Sequence, residues 1–117
     1  MKRLIVLAAV LFLAGCTMLP GPEIRDVCAF AGDDPYEVEL VCYSEAVSFE
    51  WHIEGVTLRG QRVTHQLSGP GEYVAAVLAS DSRGNTTQGS VRFEVSYIGV
   101  CYWETEDVWA CTFREED

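Results

Sequence analysis

Residues 49–55 read Phe49-Glu50-Trp51-His52-Ile53-Glu54-Gly55, and apolar side chains alternate with polar ones along this stretch. A period of two places the apolar side chains on one face of a β-strand and the polar ones on the other. Glu54-Gly55 then provides a turn signal. The stretch therefore predicts a half-buried strand that ends in a turn.

Four further stretches also predict strands between turn signals: three repeat this alternation, and the fourth, 73–79, is a continuous apolar run. They cover residues 36–42, 63–67, 73–79 and 91–95, and glycine-containing breakers separate them at 59–60, 69–71 and 82–85. No segment after the amino-terminal apolar run shows the 3.6-residue period of a helix. Short alternating strands between turn signals are typical of a β-sandwich, so the predicted fold class is all-β.

The chain begins with an export signal. Lys2 and Arg3 precede an apolar run of 11 residues, 4–14, whereas a membrane-spanning helix needs roughly 20. The next motif, Leu13-Ala14-Gly15-Cys16, resembles a bacterial lipobox. The resemblance implies that residues 1–15 are a cleaved signal peptide and that Cys16 carries a diacylglycerol thioether, usually with a third acyl chain on its amine. The alternative is an ordinary cleaved signal with an incidental cysteine.

Residues 16–26 predict a tether between the lipidated cysteine and the domain, because they contain Pro20 and Pro22 and little periodicity. Two or more acyl chains anchor a protein stably to a membrane. In Gram-negative lipoproteins, a residue other than aspartate after the lipidated cysteine usually implies sorting to the outer membrane. Here that residue is Thr17. The predicted location is therefore a bacterial membrane, and the outer one if the host is Gram-negative.

The motifs between residues 49 and 85 resemble those of a PKD domain, an immunoglobulin-like module of bacterial surface proteins and secreted enzymes. The resemblance covers roughly residues 36–96 and is most specific at Pro70-Gly71-Glu72-Tyr73 and at Asp81-x-x-Gly84-Asn85. It implies a PKD-like sandwich over 27–97, with Trp51 between the sheets and Tyr73 hydrogen-bonded across a corner. The family's usual Trp-Asp-Phe-Gly-Asp-Gly is shortened here to 51–55, so the roles of those aspartates do not carry over.

The cysteines predict two disulfides. Of the five, assignment of Cys16 to lipid leaves four, and an even number in an exported protein is typical of disulfide pairing. Four cysteines allow three pairings. The pairing Cys28–Cys42 with Cys101–Cys111 is favoured because each bridge closes a short loop. No two cysteines have the CxxC spacing of a zinc site.

Residues 98–117 predict a cysteine-closed hairpin and an acidic tail. The segment 101–111 is symmetric about Glu106, so a hairpin that pairs its two terminal cysteines also pairs Trp103 with Trp109 on the same face. Its tip lacks glycine, and the loop has either three or five residues. The tryptophans either cap a small core or form a binding surface. In the second case the contact residues are Trp103 and Trp109, with Tyr102 as a weaker contact.

The charge of the chain limits its partners. Eighteen acidic residues outnumber eight basic ones, and removal of Lys2 and Arg3 with the signal gives a net charge of about −12. This charge repels nucleic acid and anionic lipid headgroups. Carboxylates that could bind calcium match no known calcium loop, and a solvated acidic surface explains them equally. They are Asp33, Asp34, Glu104, Glu106, Asp107, Glu115, Glu116 and Asp117.

Signals for catalysis or for a cofactor are weak. His65 is predicted to point inward as a structural residue and His52 to lie on a solvated face, and no serine lies in a nucleophile elbow. The predicted function is therefore that of a non-catalytic binding lipoprotein of the bacterial envelope, which engages an envelope protein or a glycan. The alternatives are an inhibitor of a basic cell-wall hydrolase and a structural accessory of an envelope assembly.

Overall fold

The computed structural model describes residues 21–105 and 107–114. The predicted signal peptide, Cys16 and the first part of the tether lie outside the described residues. The same is true of Glu106 and of the carboxylates at 115–117.

The described part of the chain is all-β, as predicted. The strands predicted at 36–42, 49–53, 63–67, 73–79 and 91–95 are confirmed, with shifts of up to five residues at the ends, and two strands that the pattern did not predict are added at 24–31 and 56–59. The strands are β1 (Ile24–Ala31), β2 (Glu37–Ser44), β3 (Ser48–Ile53), β4 (Val56–Arg59), β5 (Arg62–Gln66), β6 (Gly71–Ser80), β7 (Thr86–Ser96), β8 (Gly99–Trp103) and β9 (Trp109–Phe113).

These strands form two sheets that pack face to face. One has six strands in the order β9-β8-β7-β6-β3-β4, and the other has three in the order β1-β2-β5. All neighbouring strands are antiparallel. The inward-facing alternate residues of both sheets make one core, which is the arrangement of a β-sandwich.

Trp51 lies at the centre of this core. Its side chain has no exposed surface, and its indole Nε1 donates a hydrogen bond of 2.8 Å to the carbonyl of Gly60. The buried polar group is therefore satisfied. The position between the sheets that the PKD resemblance implied for Trp51 is confirmed.

The corner before β6 also agrees with the resemblance. The hydroxyl of Tyr73 donates a hydrogen bond of 2.7 Å to the carbonyl of Gly69, and its ring stacks on Phe93 with centroids 5.8 Å apart. This bond fixes the path of the chain as it enters the strand, as the tyrosine corner of immunoglobulin-like sandwiches does.

The turn between β6 and β7 is organised by Asp81. Its Oδ1 accepts hydrogen bonds of 2.9 Å from the backbone amides of Arg83 and Asn85, and Gly84 adopts a φ of 88° that suits glycine. Partial burial opposes ionisation, but the bonds from Asn85 and Arg83 outweigh it and hold the pKa of Asp81 below its usual value. The Asp-x-x-Gly-Asn motif is thus a local turn.

The predicted Cys28–Cys42 disulfide is wrong. Cys28 lies opposite Val41, and Cys42 lies opposite Val27, across the β1–β2 pair. Directly opposite residues share a face and neighbours along a strand do not, so the two thiols lie on opposite faces of the sheet. Both are free and buried, and burial is the main cause that raises the pKa of Cys28 to about 12.

Strand β1 begins at Ile24, within the segment 16–26 that was predicted as a tether. Its outward face is not left to solvent, because the β8–β9 hairpin packs against it. The ring of Phe30 meets Tyr102 edge to face with centroids 6.2 Å apart, and the amide of Ala31 donates a 2.7 Å hydrogen bond to Thr112 Oγ1. The hairpin is therefore part of the domain.

Candidate binding surface

The predicted pairing of the carboxy-terminal hairpin is confirmed. Cys101 lies opposite Cys111 and Trp103 opposite Trp109, and a disulfide joins the two cysteines, whose Cα atoms are 3.9 Å apart. The strands end at Trp103 and resume at Trp109. The loop is thus 104–108, which is the longer of the two predicted lengths.

The two tryptophans lie on the outer face of the six-stranded sheet. Trp103 is 38% exposed and Trp109 is 40% exposed, and their rings are tilted against each other with centroids 4.5 Å apart. Side chains at neighbouring positions, Tyr102 and Ala110, point the other way, toward the core. The interpretation that the tryptophans cap the core is therefore wrong, and their outward edges face solvent.

Tyr102 does not belong to this surface. It is 5% exposed because its position in the strand turns it inward, against Phe30. Burial and the nearby thiol of Cys28 raise the pKa of Tyr102 to about 12, so the phenol is neutral at physiological pH. The prediction that Tyr102 contacts a ligand is wrong. Its ring instead packs against Phe30 on the inner face of the hairpin.

A row of side chains extends from the tryptophans across the sheet. The guanidinium carbon of Arg92 on β7 lies 5.1 Å from the centroid of the Trp103 ring, and Val74, opposite Arg92 on β6, is 58% exposed. A cation over an indole face is attracted by the ring quadrupole. We call Trp109, Trp103, Arg92 and Val74 the tryptophan row. Its last two members cannot be identified from sequence spacing, because only the strand register brings them beside the indoles.

An open groove lies beside the tryptophan row. It has a volume of about 340 Å³ and is lined by Ser90, Val91, Arg92, Trp103 and Thr105. Indole, guanidinium and hydroxyl groups together offer stacking and hydrogen bonding, which are the features of a recognition surface.

The next row along the strands carries two glutamates. Glu72 on β6 lies directly opposite Glu94 on β7, and Glu94 lies opposite Cys101 on β8. Both glutamates are exposed, and neither forms an ion pair with any residue that the structure describes. We call Glu72 and Glu94 the glutamate pair.

The two histidines have structural contacts. His65 Nε2 lies 3.1 Å from Glu54 Oε1, and Ser68 Oγ donates a 2.7 Å bond to the other oxygen of Glu54. Hydrogen bonds from Ser68 and His65 lower the pKa of Glu54. His52 Nε2 lies 2.7 Å from Glu50 Oε2 on the exposed face. The His65–Glu54 contact connects β5 to the β3–β4 turn, where Glu54 has a φ of 52°.

Two properties of the described part of the chain concern metal binding and membrane insertion. Within it, no group of three or more histidine, cysteine or carboxylate side chains is placed to hold a metal ion. Across residues 21–105 and 107–114, no helix has the length and apolar character needed to cross a membrane.

Comparison with known proteins supports the fold. No protein-family model matches the chain, and no curated protein is similar to it at a significant level. Among solved structures, the chain is similar to the PKD1 domain of Epp from Vibrio anguillarum, with a TM-score of 0.50 and 22% identity. The match covers 63% of this chain and 98% of that one. The chain thus contains an immunoglobulin-like β-sandwich of the PKD type.

Proposed function

We propose that this protein is a lipid-anchored, non-catalytic binding module of the bacterial envelope, and that its tryptophan row contacts an envelope protein or a glycan. The observation that carries the proposal is the exposed indole pair on a hairpin closed by a disulfide. The PKD-like fold is consistent with an interaction role, and the lipobox resemblance of residues 13–16 supports the anchor.

The exposed indoles offer binding energy that folding leaves unused. Two-fifths of an indole side chain corresponds to roughly 100 Å² of apolar surface. Covering that area contributes about 2.5 kcal/mol for each tryptophan. Aromatic side chains in desolvated contacts are also the usual hot spots of protein interfaces.

The hairpin holds this surface in place before a partner arrives. The bridge lies one step along the strands from the tryptophans, on the same face. Trp103 is further restrained by the facing indole and by Arg92. Because these side chains are already ordered, binding costs less conformational entropy than it would for a flexible loop.

The test is chemical crosslinking and affinity capture of the full-length, lipidated protein from its own envelope fraction. The double variant Trp103→Ala/Trp109→Ala is compared with wild type. A matched control, Tyr43→Ala/Tyr97→Ala, removes two exposed aromatics that lie elsewhere, 39% and 59% exposed respectively. Circular dichroism verifies that each variant is folded.

The proposal expects one discrete protein or glycan to be captured by wild type and by the control, and to be lost with the tryptophan variant. Equal capture by all three proteins contradicts it. In that case the loops of the sandwich, and not the tryptophan row, make the contact.

A further inference from the structure

The glutamate pair is an arrangement that folding alone does not favour. Glu72 and Glu94 lie directly opposite each other on an exposed face, and like charges at such positions destabilise a sheet. The flanking position on β8 is the uncharged half-cystine Cys101. The nearest cation along β7, Arg92, is placed over Trp103. The pair is therefore uncompensated within the described structure.

We propose that the outer face of the six-stranded sheet docks a basic segment of a partner protein. An apolar side chain of that segment covers Trp103 and Trp109, and an arginine or lysine is held between Glu72 and Glu94. This inference rests on the proposed function and narrows the partner from a protein or glycan to a cationic protein surface.

The spacing of the two features fits one extended segment. Neighbouring strands are about 4.8 Å apart and same-face residues about 7 Å apart along a strand. Glu94 lies one strand away from Trp103 and is offset from it by two residues along the strand direction. Glu72 has the same offset but lies two strands away. These offsets correspond to about 8–12 Å, the separation of side chains two to four residues apart on one face of an extended chain.

The charge of the chain favours a cationic segment over the other possible occupants of this face. The chain has a net charge of −10, so a second copy, an anionic membrane or a nucleic acid is repelled from this face. A neutral glycan could stack on the indoles but would leave the glutamate pair uncompensated. A cationic segment satisfies both features, and its approach is accelerated by the overall field.

The experiment measures binding of a defined probe to the full-length protein in a non-ionic detergent. The probe is a nine-residue peptide in which arginines alternate with threonines around a single central leucine, and affinity is measured calorimetrically at low salt. The test variant is Glu72→Gln/Glu94→Gln, which retains side-chain shape. The control, Asp33→Asn/Asp34→Asn, changes the net charge equally at an exposed turn before β2.

We expect the glutamine variant to weaken peptide binding about five- to tenfold, while the control changes affinity less than about twofold. An equal loss in both variants, or no binding of the peptide to wild type, overturns the inference. Repeating the envelope capture with the glutamine variant distinguishes the cationic partner from the proposed function. If the glutamine variant captures as wild type does and only the tryptophan variant fails, the proposed function stands and the cationic partner is rejected. If the tryptophan variant captures normally, the proposed function itself fails.

Discussion

The Cys101–Cys111 bridge is expected to hold the binding surface and to protect the edge of the sandwich. The perturbation is Cys101→Ser/Cys111→Ser. The bridge closes a loop with a sequence separation of 10, and the chain-entropy model gives about 3 kcal/mol of stabilisation for a loop of this size. For a domain of about 100 residues, that loss lowers the midpoint of thermal unfolding by roughly 12–20 °C.

Scanning calorimetry measures the midpoint, and alkylation of thiols reports the local effect. Tyr102 of the hairpin packs against Phe30 on β1, beside Cys28, so a loosened hairpin exposes the Cys28 thiol. Cys42 lies on the other face of the sheet, inside the sandwich, and stays protected in the folded variant. A midpoint within about 3 °C of wild type, with unchanged Cys28 labelling, would refute the reasoning.

Four further outcomes are expected, three from individual contacts and one from the lipobox resemblance. Glu72→Gln/Glu94→Gln is expected to raise the free energy of unfolding by about 0.2–1 kcal/mol, since like charges no longer face each other; urea titration measures this, and a loss of stability contradicts it. Tyr73→Phe removes the corner hydrogen bond and is expected to lower that free energy by about 1 kcal/mol, by the same titration. Because burial raises the pKa of Cys28 from 9.0 to about 12, the unfolded chain loses this proton first. The stability that Cys28 contributes is complete below pH 9 and falls as the pH rises toward 12, and Cys28→Ala should flatten that part of the pH profile. Cys16→Ser is expected to abolish metabolic labelling of the protein with a fatty acid, whereas retained labelling would contradict lipidation at Cys16.

The features that the sequence predicted correctly are those that depend on the spacing of residues within one short segment. The alternation of residues 49–53 requires a strand with one buried face, and the buried positions are Phe49, Trp51 and Ile53. The symmetry of residues 101–111 determines which residues face each other if a hairpin forms at all. In both cases the period of two decides the outcome without information from distant residues.

The features that the sequence did not predict depend on contacts between distant segments. Strand β1 shows little alternation because residues on both of its faces are buried. Cys28, on the outward face, is buried near Tyr102, which lies about seventy residues further along the chain. The same register places Cys28 and Cys42 on opposite faces, a fact that loop length does not encode. Sequence spacing gives no sign of either relation.

The composition of the binding surface was only half predictable for the same reason. The two tryptophans follow from hairpin symmetry, whereas Arg92 joins them through the pairing of β7 with β8. Tyr102 is adjacent to Trp103 in sequence, and the prediction that it belongs to the same surface is wrong. In a strand, however, adjacent side chains point to opposite faces.

The most direct test of the account is site-specific photocrosslinking in intact cells. A photoreactive phenylalanine analogue replaces Ser90, which lines the groove beside Trp103, in one version of the full-length protein. In a second version it replaces Tyr43, which is exposed on the other sheet. We predict one discrete crosslinked product from position 90 and none from position 43. Absence of a product at 90, or the same products from both positions, would contradict the claim that the tryptophan row is the binding surface.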